Sequence, residues 1–282
     1  MFAHEFIRYA FLASGGIAIA AGFAGYFLVL RGQVFAADAL SHVAFTGGVA
    51  ALAFGINELL GLIVATVLAA LILNSLSVAS RAGDTEIGVL FALILGLGVL
   101  FISIYVSGHS TSNSTGGVGV LFGSVFGISA GQARIAVLVS IGAIACLLVI
   151  ARPLLYASVD AAAAAAQGIR VGLLGGVFLL VAAVIASEAV QVTGALLILG
   201  LMATPAAIAR NLTTRPYAGM ALSAGIAVAA TWSGIALSYA VPTLPPSFAM
   251  VAILFGLYLL STGGLALIRA NQARPGRVAF NQ

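Results

Sequence analysis

Lysine is absent from the 282 residues. A phosphate-binding loop of the Walker A kind needs a Gly-Lys-Ser/Thr run to hold ATP. This chain cannot build one, so any ATP-driven work must draw on an ATPase in another chain. Charge of either sign is scarce: eleven arginines and seven acids make up only 6% of residues. A soluble globular chain carries about 25%, and no polar stretch here is long enough to form a separate water-soluble domain. The arginines stand singly between apolar runs rather than in a basic patch, which excludes a nucleic-acid surface and makes them topology signals. The single cysteine, Cys146, lies in an apolar run. That excludes an internal disulfide framework and a cysteine metal cluster, and it leaves a small buried side chain.

What is present is overwhelmingly apolar: 62% hydrophobic residues and a mean hydropathy of +1.22. Nine stretches are long and apolar enough to span a bilayer, at about 6–30, 34–54, 59–79, 87–107, 134–151, 171–187, 190–209, 217–240 and 247–268. A tenth, 118–128, is short and glycine-rich, a re-entrant or broken segment tolerated only where protein or a wet cavity surrounds it. The expected fold is therefore all-α: a polytopic transmembrane helical bundle of about nine spans, eight to ten being compatible with the hydropathy. Residues 1–268 form one transmembrane domain and 269–282 a polar tail. Residues 1–8 mix acidic and basic side chains without a cleavage site and read as the start of a retained span rather than a signal peptide.

Arginine placement orients the bundle. With 118–128 not crossing and the N-terminus outside, Arg31, Arg81, Arg152, Arg170, Arg210, Arg215, Arg269, Arg274 and Arg277 fall inside. Only Arg8 and Arg134 fall outside, as the positive-inside rule prefers. The C-terminus is then cytoplasmic, and the Ser- and Gly-rich loop 107–117 with His109 lies outside, where no second ligand stands at helical spacing from that histidine. Glycines recur at small-xxx-small spacing, as at Gly47 and Ala51, which lets helices approach closely in lipid.

Within these spans four places carry chemistry. Asp38 and His42 are four residues apart in 34–54, so they share one helix face. At 1.5 Å per residue from Arg31 they lie about 10 and about 16 Å deep. Intramembrane ionisable residues are functional candidates by default. This pair fits half of a divalent-metal site, a proton relay, or a hydrogen-bonded structural pair. Glu188 with Gln191 falls between two spans near the outer face: an outer gate, a contact for a substrate-delivery protein, or a solvated cap of the next helix. The loop 152–172 contains an alanine run, with Asp160 placed to cap it, Gln167 at its end and Gly168 to stop it. Such a helix serves to dock a partner or simply to connect. Thr204 and Pro205 lie inside a span, where proline removes a backbone hydrogen bond and bends the helix.

Taken together these residues resemble a known family. RGQVFAADALSHVAFTGG (31–48), GDTEIGVLFAL (83–93) and QVTGALLILGLMATPAAIAR (191–210) are similar, in order and spacing, to motifs of the membrane permease subunit of bacterial ABC importers for zinc, manganese and iron(II). Gly194, Ala195, Leu196, Pro205 and Ala206 fall in place in the last motif, and the likeness runs from about residue 8 to 265. The resemblance implies a transport subunit of the bacterial plasma membrane working as a homodimer. Its implied partners are a cytoplasmic ABC ATPase dimer and an extracytoplasmic metal-binding protein. It implies that Asp38 and His42 form the metal site, that the ion is substrate with no cofactor held permanently, and that the segment ending at Gly168 docks on the ATPase. Here the front of that segment is a run of alanines where relatives carry more varied, polar residues. The rival expectations are a proton-coupled secondary transporter, an ABC permease for a metal chelate, and a non-transporting membrane scaffold; the two-half symmetry common in secondary transporters is not evident.

Overall fold

A computed structural model describes residues 5–79, 84–108 and 123–272, and every regular element among them is helical. In chain order the helices are α1 (Glu5–Leu30), α2 (Val34–Ala53), α3 (Glu58–Ala79) and α4 (Asp84–Gly108), then α5 (Ala130–Val159) and the short α6 (Ala161–Ala166). They continue with α7 (Val171–Thr193), α8 (Ala195–Leu212), α9 (Pro216–Ala240) and α10 (Pro246–Gln272). Eight of them are long and apolar enough to cross a membrane, and α4 contributes a shorter apolar stretch, Phe91–Ser107. The chain is a polytopic helical bundle, as expected from its hydropathy.

Three boundaries differ from the sequence reading. The 152–172 segment is not one loop. Its first part continues α5 to Val159, straight through Pro153, so only the remainder, with α6, is connector. The break placed between residues 187 and 190 falls instead at Gly194. Its φ of 86° and ψ of 156° belong to a region open essentially to glycine alone. The polar pair Glu188 and Gln191 suggested an earlier end, but backbone geometry sets the break. The last helix, finally, runs to Gln272, past the expected boundary at residue 268. Of the 118–128 segment, residues 123–128 are described: a single 3-10 turn, Val125–Gly127, which does not span. Its Gly123 lies against the Thr193–Gly194 peptide, where a side chain would collide with backbone. His109 with the rest of its loop, and residues 273–282, lie outside the described residues.

Two cores organise the packing. The larger surrounds α1, which is sheathed by α5, α7, α8 and α9. The smaller joins Ala36, Leu40 and Val43 of α2 to α3, to Ile94 of α4 and to Leu179 and Ala183 of α7. Small residues allow the α2–α3 approach: Gly47 faces Gly61 and Ala65, and Ala51 faces Gly61. Buried hydroxyls fasten the rest. Thr46 donates to the Ile94 carbonyl at 3.0 Å, and the Thr66 and Ser187 hydroxyls meet at 2.6 Å between α3 and α7. Such contacts in lipid average about 0.6 kcal/mol each. Broad apolar faces remain exposed, with Leu93, Val99, Leu138, Val149 and Leu260 among them. A helix apolar all round is what a lipid environment allows.

Candidate metal-transport site

The turn from α1 to α2 sets the site's position. Gln33 starts α2, and its amide oxygen accepts from Arg31 Nε at 3.1 Å. The Arg31 guanidinium lies 5.9 Å from the centre of the Phe178 ring on α7, a cation–π arrangement. Arg31 is half-buried, and its loss of solvent lowers its pKa from the ordinary value; a guanidinium still keeps its charge. With its start held this way, α2 carries Asp38 and His42 inward on one face.

His42 Nε2 stands 3.8 Å from Asp38 Oδ1, with 17% of the histidine side chain and 26% of the aspartate exposed. That separation is too long for a hydrogen bond, so the two groups face one another without consuming each other's lone pairs. Two ligands bound about 2.1 Å from one metal ion sit roughly 3.0–3.5 Å apart, so a small rotation of either side chain would place both on an ion. The His42 ring meets Phe91 of α4 edge-on, with centroids 4.8 Å apart. This contact fixes the plane of the imidazole. Phe91 was not singled out in the sequence; it belongs to the 83–93 motif, but an aromatic in an apolar span carries no signal of its own. No third His, Cys, Asp or Glu joins the pair among the described residues.

Glu188 departs from expectation. It is neither a solvated cap nor an outer-surface contact in this state, because it lies within α7 at 1% exposure. Both of its carboxylate oxygens lack a hydrogen-bond partner. Gln191, one turn further along, is half-buried. At α6 the cap and the stop fall at the residues expected of them. Asp160 Oδ1 accepts from the Ala163 amide at 2.8 Å, while the Asp160 amide donates to the Tyr156 carbonyl and so also caps α5. Gln167 Nε2 donates to the Tyr156 hydroxyl at 2.9 Å. Gly168, at φ 82°, ends the helix with its amide on Ala165 and the Ile169 amide on Ala164, the paired bonds of a Schellman stop. Only Ala164 of the run is buried; Ala161, Ala162, Ala165 and Ala166 are exposed. Pro205 is buried inside α8, which runs unbroken through it. Asp38 and His42 thus come together, whereas Glu188, the α6 segment and Pro205 occupy separate places.

This many-helix membrane bundle belongs to the ABC 3 transport family, whose model matches residues 3–263, and so is a transport subunit. It is 30% identical, over 84% of its length and 80% of the relative's, to the manganese transport system membrane protein MntC of Halalkalibacterium halodurans. It is 28% identical to the manganese import system permease protein ScaB of Streptococcus parasanguinis, over 83% of this chain and 82% of that one. Among solved structures it is similar to PsaBC from Streptococcus pneumoniae in complex with a Fab. That likeness has a TM-score of 0.80 and 25% identity, and covers 92% of this chain and 91% of the other.

Proposed function

We propose that the chain is the membrane-spanning permease of an ATP-driven importer of a divalent transition metal, with manganese the first candidate among manganese, zinc and iron(II). Carboxylate and imidazole together suit all three ions; the preference for manganese rests on two relatives, one described as a manganese import permease and one as a manganese transport membrane protein. The observation that carries the reading is the open Asp38–His42 pair at 3.8 Å inside α2. Such a sparse pair, completed by water or by a second permease copy, holds an ion weakly enough to release it, as a transport site must.

In this reading the N-terminus faces outward and the arginine-rich end of the bundle faces the cytoplasm. A metal-binding protein delivers the ion from outside, and Asp38 and His42 take it in transit. An ABC ATPase dimer engages α6 through its exposed alanine face, Gln167 and the Asp160–Gly168 turn. ATP binding and hydrolysis there switch the pathway between outward and inward openings. The Thr204–Pro205 step lies within α8, which packs against both α1 and α2, where a change of helix shape reaches the site.

The test is cellular manganese, zinc and iron by elemental analysis in cells expressing the permease with its ATPase. Asp38→Ala and His42→Ala, at matched membrane levels, are each expected to abolish accumulation of one metal. Normal accumulation in either variant would sink the site assignment. Accumulation that persists without the ATPase but collapses with an uncoupler would establish proton-coupled transport instead.

A further inference from the structure

At the arginine-rich end a cavity of about 650 Å³ opens between the ends of α1, α5 and α8 and the start of α9. Two guanidiniums from different helices converge on it, Arg152 of α5 and Arg210 of α8, and no carboxylate lines it. The one ion pair among the described residues is Asp38 with His42, so neither arginine is neutralised within the described part of the chain. Arg210 spends one donor on the Val29 carbonyl, at 3.2 Å. Two arginines facing one cavity without an acid call for an anion from outside the chain, held by charge-assisted hydrogen bonds.

The surroundings say which anion. The phenols of Tyr26 and Tyr156 also line the cavity. The Tyr156 oxygen already accepts from Gln167, which leaves its O–H to donate inward. Tyr26 lies one turn inside the end of α1, so the cavity reaches about 6 Å below the helix ends, into the headgroup layer rather than only the aqueous surface. Beside this polar floor, and alongside Thr213 and Thr214, the lining includes apolar side chains that face outward. Val159 is 80% exposed and Tyr217 56%, and both line the cavity. A soluble acidic surface would leave these side chains poorly covered, whereas acyl chains cover them.

From this arrangement we infer that the cavity is a binding site for an anionic phospholipid of the leaflet at this end. Its phosphodiester lies between Arg152 and Arg210, and its chains lie along Val159 and Tyr217. Basic pockets between transmembrane helices recognise anionic headgroups in this way. Because Tyr156 and Gln167 join this cavity to the α5–α6 corner, an occupied site braces the segment proposed above to meet the ATPase. The lipid site itself does not depend on which metal is carried.

The test is thermal unfolding of the full chain in a non-ionic detergent with added phosphatidylglycerol, phosphatidylcholine of the same chains, or inorganic phosphate. Phosphatidylglycerol is expected to raise the midpoint saturably, and the other two are not. Arg152→Gln, whose side chain has no recorded hydrogen bond to lose, is expected to weaken the apparent lipid affinity at least tenfold. Arg152→Gln with Arg210→Gln should abolish the response, and Arg134→Gln at the opposite end should retain it. An equal response to phosphatidylcholine, or an undiminished response in Arg152→Gln, would overturn the inference. A response to inorganic phosphate alone would make this a soluble-anion site. No phosphatidylglycerol response, together with loss of ATPase co-purification in Arg152→Gln, would assign the cavity to a protein partner.

Discussion

At the scale of single residues, Glu188 and the Asp38–His42 pair show opposite relations between sequence and surroundings. Spacing alone placed Asp38 and His42 on one face, because i and i+4 meet on any helix. Their unclosed 3.8 Å gap and the aromatic edge of Phe91 come from tertiary contacts that spacing does not encode. Phe91→Ala is expected to leave the protein in the membrane but to weaken transport less than loss of His42, because it frees the ring orientation and keeps the ligand. Uptake assays at varied metal concentration would show this as a raised half-saturation. Glu188 misled through its polarity: a carboxylate in an apolar run suggested an aqueous boundary, yet it is buried with both oxygens unpartnered. Replacing such a group by an apolar one of similar size is neutral or stabilising. Glu188→Leu should therefore keep or raise the thermal midpoint in detergent. A fall equivalent to more than about 1 kcal/mol would show that the carboxyl gains a partner in another state, and a loss of uptake without that fall would give it a transport role.

At the scale of elements, caps and stops were more legible than span limits. Asp160 and Gly168 announced α6 by residue type, since each solves a defined problem at a helix end. The α7–α8 break was misplaced because hydropathy marks polarity, whereas the chain turns where only glycine's backbone fits, at Gly194. The span expected to end near residue 151 likewise runs on, because α5 passes through Pro153 to Val159. Two measurements follow. Asp160→Ala removes the cap on Ala163 and should cost about 0.5–2 kcal/mol locally, lowering stimulation of the partner ATPase in reconstituted vesicles while leaving metal affinity unchanged. Gly194→Ala requires an alanine at φ 86°, which costs about 1–3 kcal/mol. A thermal midpoint unchanged from wild type would mean the α7–α8 break can shift along the chain.

For the whole molecule, the many-helix membrane architecture followed from hydropathy. Which faces meet did not. Lipid-facing and protein-facing sides of a membrane helix are both apolar, so periodicity no longer distinguishes inside from outside, and the two cores around α1 and around α2–α3–α7 had no signature beyond close small residues. Gly47 and Gly61 mark the close approach of α2 and α3. Gly47→Leu is expected to abolish accumulation in the membrane, whereas Gly256→Ala, which meets open space, should accumulate normally; equal levels of the two would refute the packing described for α2 and α3. One further consequence follows from Asp160 closing α5 and opening α6 in the same residue. No slack separates the two helices, and α5 has 30 residues, about 45 Å of rod. That rod ends at the Ser129 capping box, next to the turn whose Gly123 rests on Gly194. It is a lever arm. A tilt of about 10° imposed at its short corner would sweep the opposite tip through roughly 8 Å on that rise per residue, so a small push on one face of the membrane arrives magnified at the other.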